Sequence, residues 1–142
     1  MRLTRFTDNA LRCLTFLALR EGESVTVTEI AARMRMSEDH LFKVISGLAE
    51  AGYVETQRGR GGGVRLKRAS EDISVGKVVR TTEESFALVE CFDRATNTCP
   101  IAPACVLAST LDRALNAFLE VLDGVTLADL VRRPRKLRAL VA

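Results

Sequence analysis

The feature that most constrains this chain is a change of hydrophobic period at Gly52. Before it, apolar residues recur at helical spacing; after it they alternate as in a strand. Ala10, Leu11, Leu14, Leu17 and Ala18 mark a first helix, entered at Thr7-Asp8 by a capping threonine and a dipole-matched acid and stopped at Gly22. Val25-Thr26-Val27 is a short β-prone piece, after which Thr28 is expected to cap a second helix with Ile30, Ala31 and Met34 facing inward. A break at Arg35-Met36 leads to Ser37, the N-cap of a third helix from Glu38 to about Ala51, with Leu41, Val44, Ile45 and Leu48 as its buried stripe. Gly52 closes it as a left-handed cap. Tyr53, Val54 and Thr56 then begin a strand, Gly59-Arg60-Gly61-Gly62-Gly63 forms a loop, and Val64 and Leu66 return. Three helices, a helix–turn–helix in the middle and a glycine-tipped hairpin predict a winged helix.

Beyond it, Ser74 to Thr81 reads as a short helix, and a loop carries three cysteines. A long helix from about Ala104 to Leu122 follows, striped by Leu107, Leu111, Leu115, Phe118 and Leu122 and ended by Gly124. Thr126-Leu127-Ala128-Asp129 resembles a capping box with aspartate in place of glutamate. The last residues, rich in Arg and Lys, read as a mobile tail. The expected fold is thus mainly α, within the α+β class. Residues 1–70 form a winged helix-turn-helix domain, and residues 71–142 hold the cysteine loop, a long C-terminal dimerisation helix and the basic tail. Two such helices packed antiparallel bury each other's stripes and hold two reading helices one DNA turn apart, about 34–36 Å.

The formal charge of +3 conceals a strong asymmetry. Residues 1–70 carry 12 basic and 8 acidic side chains, residues 71–131 carry 4 and 10, and the tail from 132 carries 5 basic and no acidic ones. An anionic partner is expected for the first part, and helix–turn–helix architecture makes that partner double-stranded DNA. On the reading helix, His40 and Lys43 are the candidate DNA contacts, with Glu38 and Asp39 able to accept from cytosine or to favour the helix start. In the wing, Arg58, Arg60 and Arg65 supply phosphate counter-charge, and Arg60 at the tip can enter a narrow minor groove. No apolar run approaches the roughly 18 residues of a membrane span, and no signal-peptide pattern opens the chain. A cytoplasmic protein without membrane attachment is expected, one in which cysteines stay reduced. One histidine and no paired carboxylates argue against an enzyme.

Cys13 falls among Leu11, Leu14 and Leu17 and reads as a core thiol. Cys91, Cys99 and Cys105, spaced C-x7-C-x5-C, suit a thiolate metal site, and by softness iron–sulfur, zinc and cuprous copper all remain open. Three thiolates leave such a site one ligand short. His40 belongs to the reading helix, away from the cysteines, so the fourth ligand is a carboxylate, a backbone or solvent group, or a residue of a partner subunit.

Several segments resemble the Rrf-two-type family of regulators. They are Thr4-Arg5-Phe6-Thr7-Asp8-Asn9-Ala10-Leu11-Arg12, Ala51-Gly52-Tyr53-Val54, the run from Arg58 to Leu66, and Thr126-Leu127-Ala128-Asp129-Leu130. Cys99-Pro100-Ile101-Ala102-Pro103-Ala104-Cys105, followed by Leu107, is similar to the nitric-oxide-sensing branch of that family more than to its cluster-assembly branch. The latter uses a histidine after the third cysteine, and this chain has none there. The resemblance implies an iron–sulfur cluster held by Cys91, Cys99 and Cys105, with Asp8 of the partner subunit completing it, and favours 4Fe–4S over 2Fe–2S. The seven residues between Cys91 and Cys99 are more than is usual, so Asp93 is the competing fourth ligand. The implied function is a homodimeric repressor of nitric-oxide stress genes. It binds a palindromic operator while the cluster is intact and releases it on exposure to nitric oxide. Two rival readings stand beside it: a thiol- or zinc-switching regulator of the same fold, and an iron–sulfur redox or cluster-delivery protein whose winged helix is a docking module.

Overall fold

A computed structural model describes residues 2–59 and 61–141. Three helices open the chain: α1 (Arg5–Leu19), α2 (Val27–Met34) and α3 (Glu38–Glu50). Strands β1 (Val54–Gln57) and β2 (Gly63–Leu66) follow, then α4 (Val75–Thr82), the long α5 (Val106–Asp123), the one-turn α6 (Leu127–Leu130) and α7 (Pro134–Leu140). The strands pair antiparallel in the register Val54 with Leu66 and Gln57 with Gly63. This is the expected winged helix-turn-helix, mainly helical with a two-stranded wing. Among the described residues, no helix is long and apolar enough to cross a membrane.

Two helix entries lie elsewhere than expected. Thr4, not Thr7, caps α1: its Oγ1 accepts the Thr7 N–H at 3.2 Å, and Thr7 is buried inside the first turn. Glu83, just past α4, holds Thr4 in place, its Oε1 accepting from the Thr4 backbone N–H at 2.7 Å and from the hydroxyl at 3.0 Å. Thr26, not Thr28, caps α2. The reason is tertiary, because Val25 pairs with Val64 through hydrogen bonds of 2.9 and 2.8 Å and stays extended up to the cap. A Cβ at Gly63 would stand 2.5 Å from the Val25 carbonyl oxygen, so this close crossing requires glycine.

The main core joins Leu14, Phe16 and Leu17 of α1, Ile30 of α2, Leu41, Val44 and Leu48 of α3, Val54 and Val64 of the wing, and Ile73, Val78 and Leu127. A smaller cluster seats α5 on α4, with Val79, Leu115 and Leu119 buried. The stripe expected to meet a second subunit is therefore partly consumed within the chain. Leu115 is buried, Phe118 and Leu122 are half-buried, and only Leu107, 62% exposed, is left wholly outside. A second, adjacent face of α5 stays open and carries Val106, Thr110, Ala114, Ala117 and Val121. The C-terminal segment is not the expected mobile tail. Its α7 docks at the end of α1, where Arg138 Nη2 donates to the Leu19 carbonyl at 2.8 Å and Val141 packs on the core. That carbonyl is one of the helix-end acceptors that α1 cannot satisfy itself.

Candidate functional site

The reading helix is held by its apolar stripe. Leu41, Val44, Ile45 and Leu48 face the core, which leaves Glu38, Asp39, Phe42, Lys43, Ser46 and Glu50 outside. The turn before it passes through Arg35 in a left-handed conformation at φ 53°, and Met36 N–H returns to the Ala31 carbonyl at 2.9 Å. α1 crosses behind, with the Phe6 ring lying on Gly47.

The structure separates the expected DNA contacts. Lys43 is exposed on the outer side of α3, as the expectation requires. His40 sits on the flank that faces α1, half-buried, with Nε2 shut off from solvent and without a hydrogen-bond partner among the described residues. It shares a pocket with Arg5, Asp8, Arg12 and Arg35. Arg58 is exposed on the wing. Arg65 is exposed as well, but its Nε donates to the cross-strand Glu55 carboxylate at 2.6 Å. Arg60 lies outside the described residues. Sequence reasoning passed over Phe42, although the period of α3 already placed it off the core stripe.

Asp8 projects from α1 beside this turn. Its side chain is 60% exposed and lies 3.7 Å from the Arg12 guanidinium, which also donates to the Met34 carbonyl at the end of α2. One arginine thus joins Asp8 to the helix–turn–helix: the Asp8–Arg12 pair has the local i,i+4 spacing, whereas the bond to Met34 has no local sequence signature.

The three grouped cysteines occupy the irregular stretch between α4 and α5. Cys91 lies in the short 3-10 helix Glu90–Phe92, Cys99 precedes a second one at Ala102–Ala104, and Cys105 stands at the N-cap position of α5. All three are free thiols and half-buried. Side chains of the loop shape it from within: Glu90 Oε1 accepts from the Thr98 backbone at 2.6 Å and hydroxyl at 2.7 Å, and the Asn97 side chain accepts from the Cys99 N–H at 3.0 Å. Asp93 is engaged in the same way, accepting from the Ala95 N–H at 3.0 Å and the Thr96 hydroxyl at 2.9 Å. Among the described residues, no three Cys, His, Asp or Glu side chains of the one chain gather closely enough to hold a metal ion.

The donor set still suits a soft metal centre. Three half-buried free thiols stand on one segment, and thiolates select iron–sulfur clusters and zinc. Cys13 provides the contrast. It is fully buried in α1, and burial pushes its thiol up to about 12, so it stays protonated and inert, as expected.

Comparison with known proteins identifies the family. The family model for Rrf2, described as an iron-dependent transcriptional regulator, matches residues 3–133. The HTH-type transcriptional regulator NsrR of Bacillus subtilis (strain 168) is 50% identical over 142 residues, covering 99% of this chain and 97% of the relative. The regulator of the same name from Geobacillus kaustophilus (strain HTA426) is 49% identical, with the same coverage of 99% and 97%. Among solved structures, T. potens IscR superposes with a TM-score of 0.78 at 27% identity, covering 97% of this chain and 91% of that one.

Proposed function

The chain belongs to the Rrf2 family and is a helix–turn–helix transcriptional regulator, not an enzyme, and on that premise we propose that it is a nitric-oxide-responsive repressor carrying an iron–sulfur cluster. Two copies associate through α5 and bind a palindromic operator, with Cys91, Cys99 and Cys105 of one subunit and Asp8 of the partner subunit holding the cluster. The observation that carries this reading is the position of Asp8. It is exposed, it sits beside the recognition turn, and Arg12 connects it to the end of α2.

When bound, the cluster supplies iron that reacts with nitric oxide. Everything else is done by the chain. With Asp8 engaged by the neighbouring subunit's thiol loop, α1 of one subunit is tied to the loop of the other, and the two α3 helices are held at a fixed separation. With Asp8 released, its carboxylate is free to close on Arg12, whose guanidinium also donates to the Met34 carbonyl at the end of α2. α3 then loses its fixed orientation relative to its twin. Tenfold weaker operator binding requires only about 1.4 kcal/mol of difference between the two states, within the reach of one inter-subunit ligand. The open face of α5, with Ala114 and Ala117 between Val106 and Val121, supports the dimer, because small residues let two helices approach closely.

Anaerobically purified protein tests the proposal. Its visible spectrum and iron content distinguish a cluster from zinc or bare thiols. Gel-shift titrations on operator DNA are expected to show tight binding that nitric oxide abolishes, and equal affinity with and without nitric oxide refutes it. Asp8→Ala is expected to lower iron retention, whereas Asp93→Ala leaves it unchanged. The reverse result assigns the fourth ligand to Asp93.

A further inference from the structure

α3 meets the core through Leu41, Val44, Ile45 and Leu48, with Ala49 partly buried beside them, and Phe42 is not among these residues. Phe42 is nonetheless 55% exposed. It stands on the outer side of the helix next to Lys43, displaced towards the wing. There, with Ser46, it borders an open groove whose far wall is Gln57, Arg58 and Val64. A single exposed apolar side chain on an ordinary surface needs no explanation. This one lies on the helix that a winged helix-turn-helix inserts into the major groove. The base edges there present hydrogen-bond donors and acceptors and one apolar group, the 5-methyl of thymine. A phenylalanine ring can neither donate nor accept a conventional hydrogen bond, so among base edges it distinguishes only that methyl. Ile45 and Ala49 in the groove wall give the ring an apolar flank, so contact on its outer side takes it out of water.

We propose that Phe42 is a specificity-determining residue that reads the 5-methyl group of one thymine in each operator half-site. The proposal rests on the reading of α3 as the DNA-reading helix. Lys43 beside it supplies charge that any sequence satisfies in part, whereas Phe42 supplies discrimination without charge.

Duplexes selected from a random library by the anaerobically purified full-length protein provide the probe. Each thymine is replaced in turn by deoxyuridine, which removes one methyl and leaves the hydrogen-bonding edge and the protein untouched. Wild-type protein is expected to lose about fourfold in affinity per half-site at one thymine, the factor for one buried methyl. Phe42→Ala is expected to bind the unmodified duplex more weakly and to be indifferent to deoxyuridine at that position alone. Its ring is more than half exposed, so its thermal unfolding should stay close to the parent's. A wild-type protein insensitive to every deoxyuridine, or a variant that keeps the wild-type sensitivity, overturns the assignment. Recovery of no duplex at all by wild-type protein instead overturns the reading of α3, and the assignment with it.

Discussion

Replacing Gly76 with alanine opposes two effects of known sign. Gly76 lies in the first turn of α4, where helix propensity alone favours alanine by up to about 1 kcal/mol. The tertiary contact opposes it. A Cβ there would stand 2.0 Å from Asp123 Oδ1, 2.5 Å from Asp123 N and 2.7 Å from its Cα, whereas ordinary contact begins at 3.4 Å. The carboxylate can swing aside, but the backbone cannot, so α4 and the end of α5 must separate by roughly 1 Å in a packed interface that yields little. The Val75 N–H bond to the Val125 carbonyl, 2.8 Å, and the Ser74 hydroxyl bond to the Asp123 carbonyl, 3.1 Å, stretch with it. The Arg80–Asp123 pair at 2.7 Å is half-exposed, so solvent screening leaves it little to add. Overpacking costs about 1–3 kcal/mol and a lost hydrogen bond about 1 kcal/mol, so after the propensity gain the net loss is about 1–3 kcal/mol. Urea titrations at one fixed protein concentration measure it, since association adds to apparent stability. Gly124→Ala is the comparator: its backbone is right-handed, the nearest atom is 3.7 Å away, and a gain of about 0.4–1 kcal/mol is expected. A Gly76→Ala protein as stable as the parent would refute the close-approach argument.

Three further outcomes concern the thiols, the helix entry at Thr4 and the wing. Cys99→Ser should lose its iron and still fold, whereas Cys13→Ser should keep its iron and lose about 1–3 kcal/mol of stability by placing a hydroxyl in the core; unchanged iron content after Cys99→Ser counts against the thiol loop as the metal site. Burial raises the Glu83 carboxyl, but hydrogen bonds from Thr7 and Thr4 outweigh it and leave it below its ordinary value. Its contribution is therefore complete above the usual glutamate range and disappears as pH falls through the lowered value, so Glu83→Gln should flatten the acid limb of the stability curve, and an unaltered limb contradicts the link. Arg60→Ala should weaken DNA binding and reduce its salt slope while the visible spectrum stays unchanged; a variant with undiminished slope removes Arg60 from the phosphate contacts.

Legibility in the sequence followed the range of the interactions involved. The stripe of α3, the left-handed Gly52, the capping box at Thr126 and Asp129 and the hairpin are set by residues within a few positions of one another, and all were readable. Capping of α1 and α2 was misplaced because each entry offers two threonines a turn or less apart. Glu83 selects Thr4 and the Val25–Val64 pairing selects Thr26, both from far along the chain.

The sequence by itself determined the DNA-reading part, because three amphipathic stripes and a glycine-tipped basic hairpin leave few other ways to bury their apolar faces. It also separated Cys13 from Cys91, Cys99 and Cys105 by the company each keeps. Tertiary structure alone decided which face of α5 is free, since a periodic stripe says that something covers it and not whether Val79 or another subunit does so. It decided that the basic tail folds back, because the carbonyl that receives Arg138 belongs to Leu19, at the other end of the chain. It also brought Asp8, Arg12 and His40 into one pocket beside the recognition turn, a proximity made by the crossing of α1 over α3. Periodicity encodes that a face is buried; the packing of distant elements chooses what buries it.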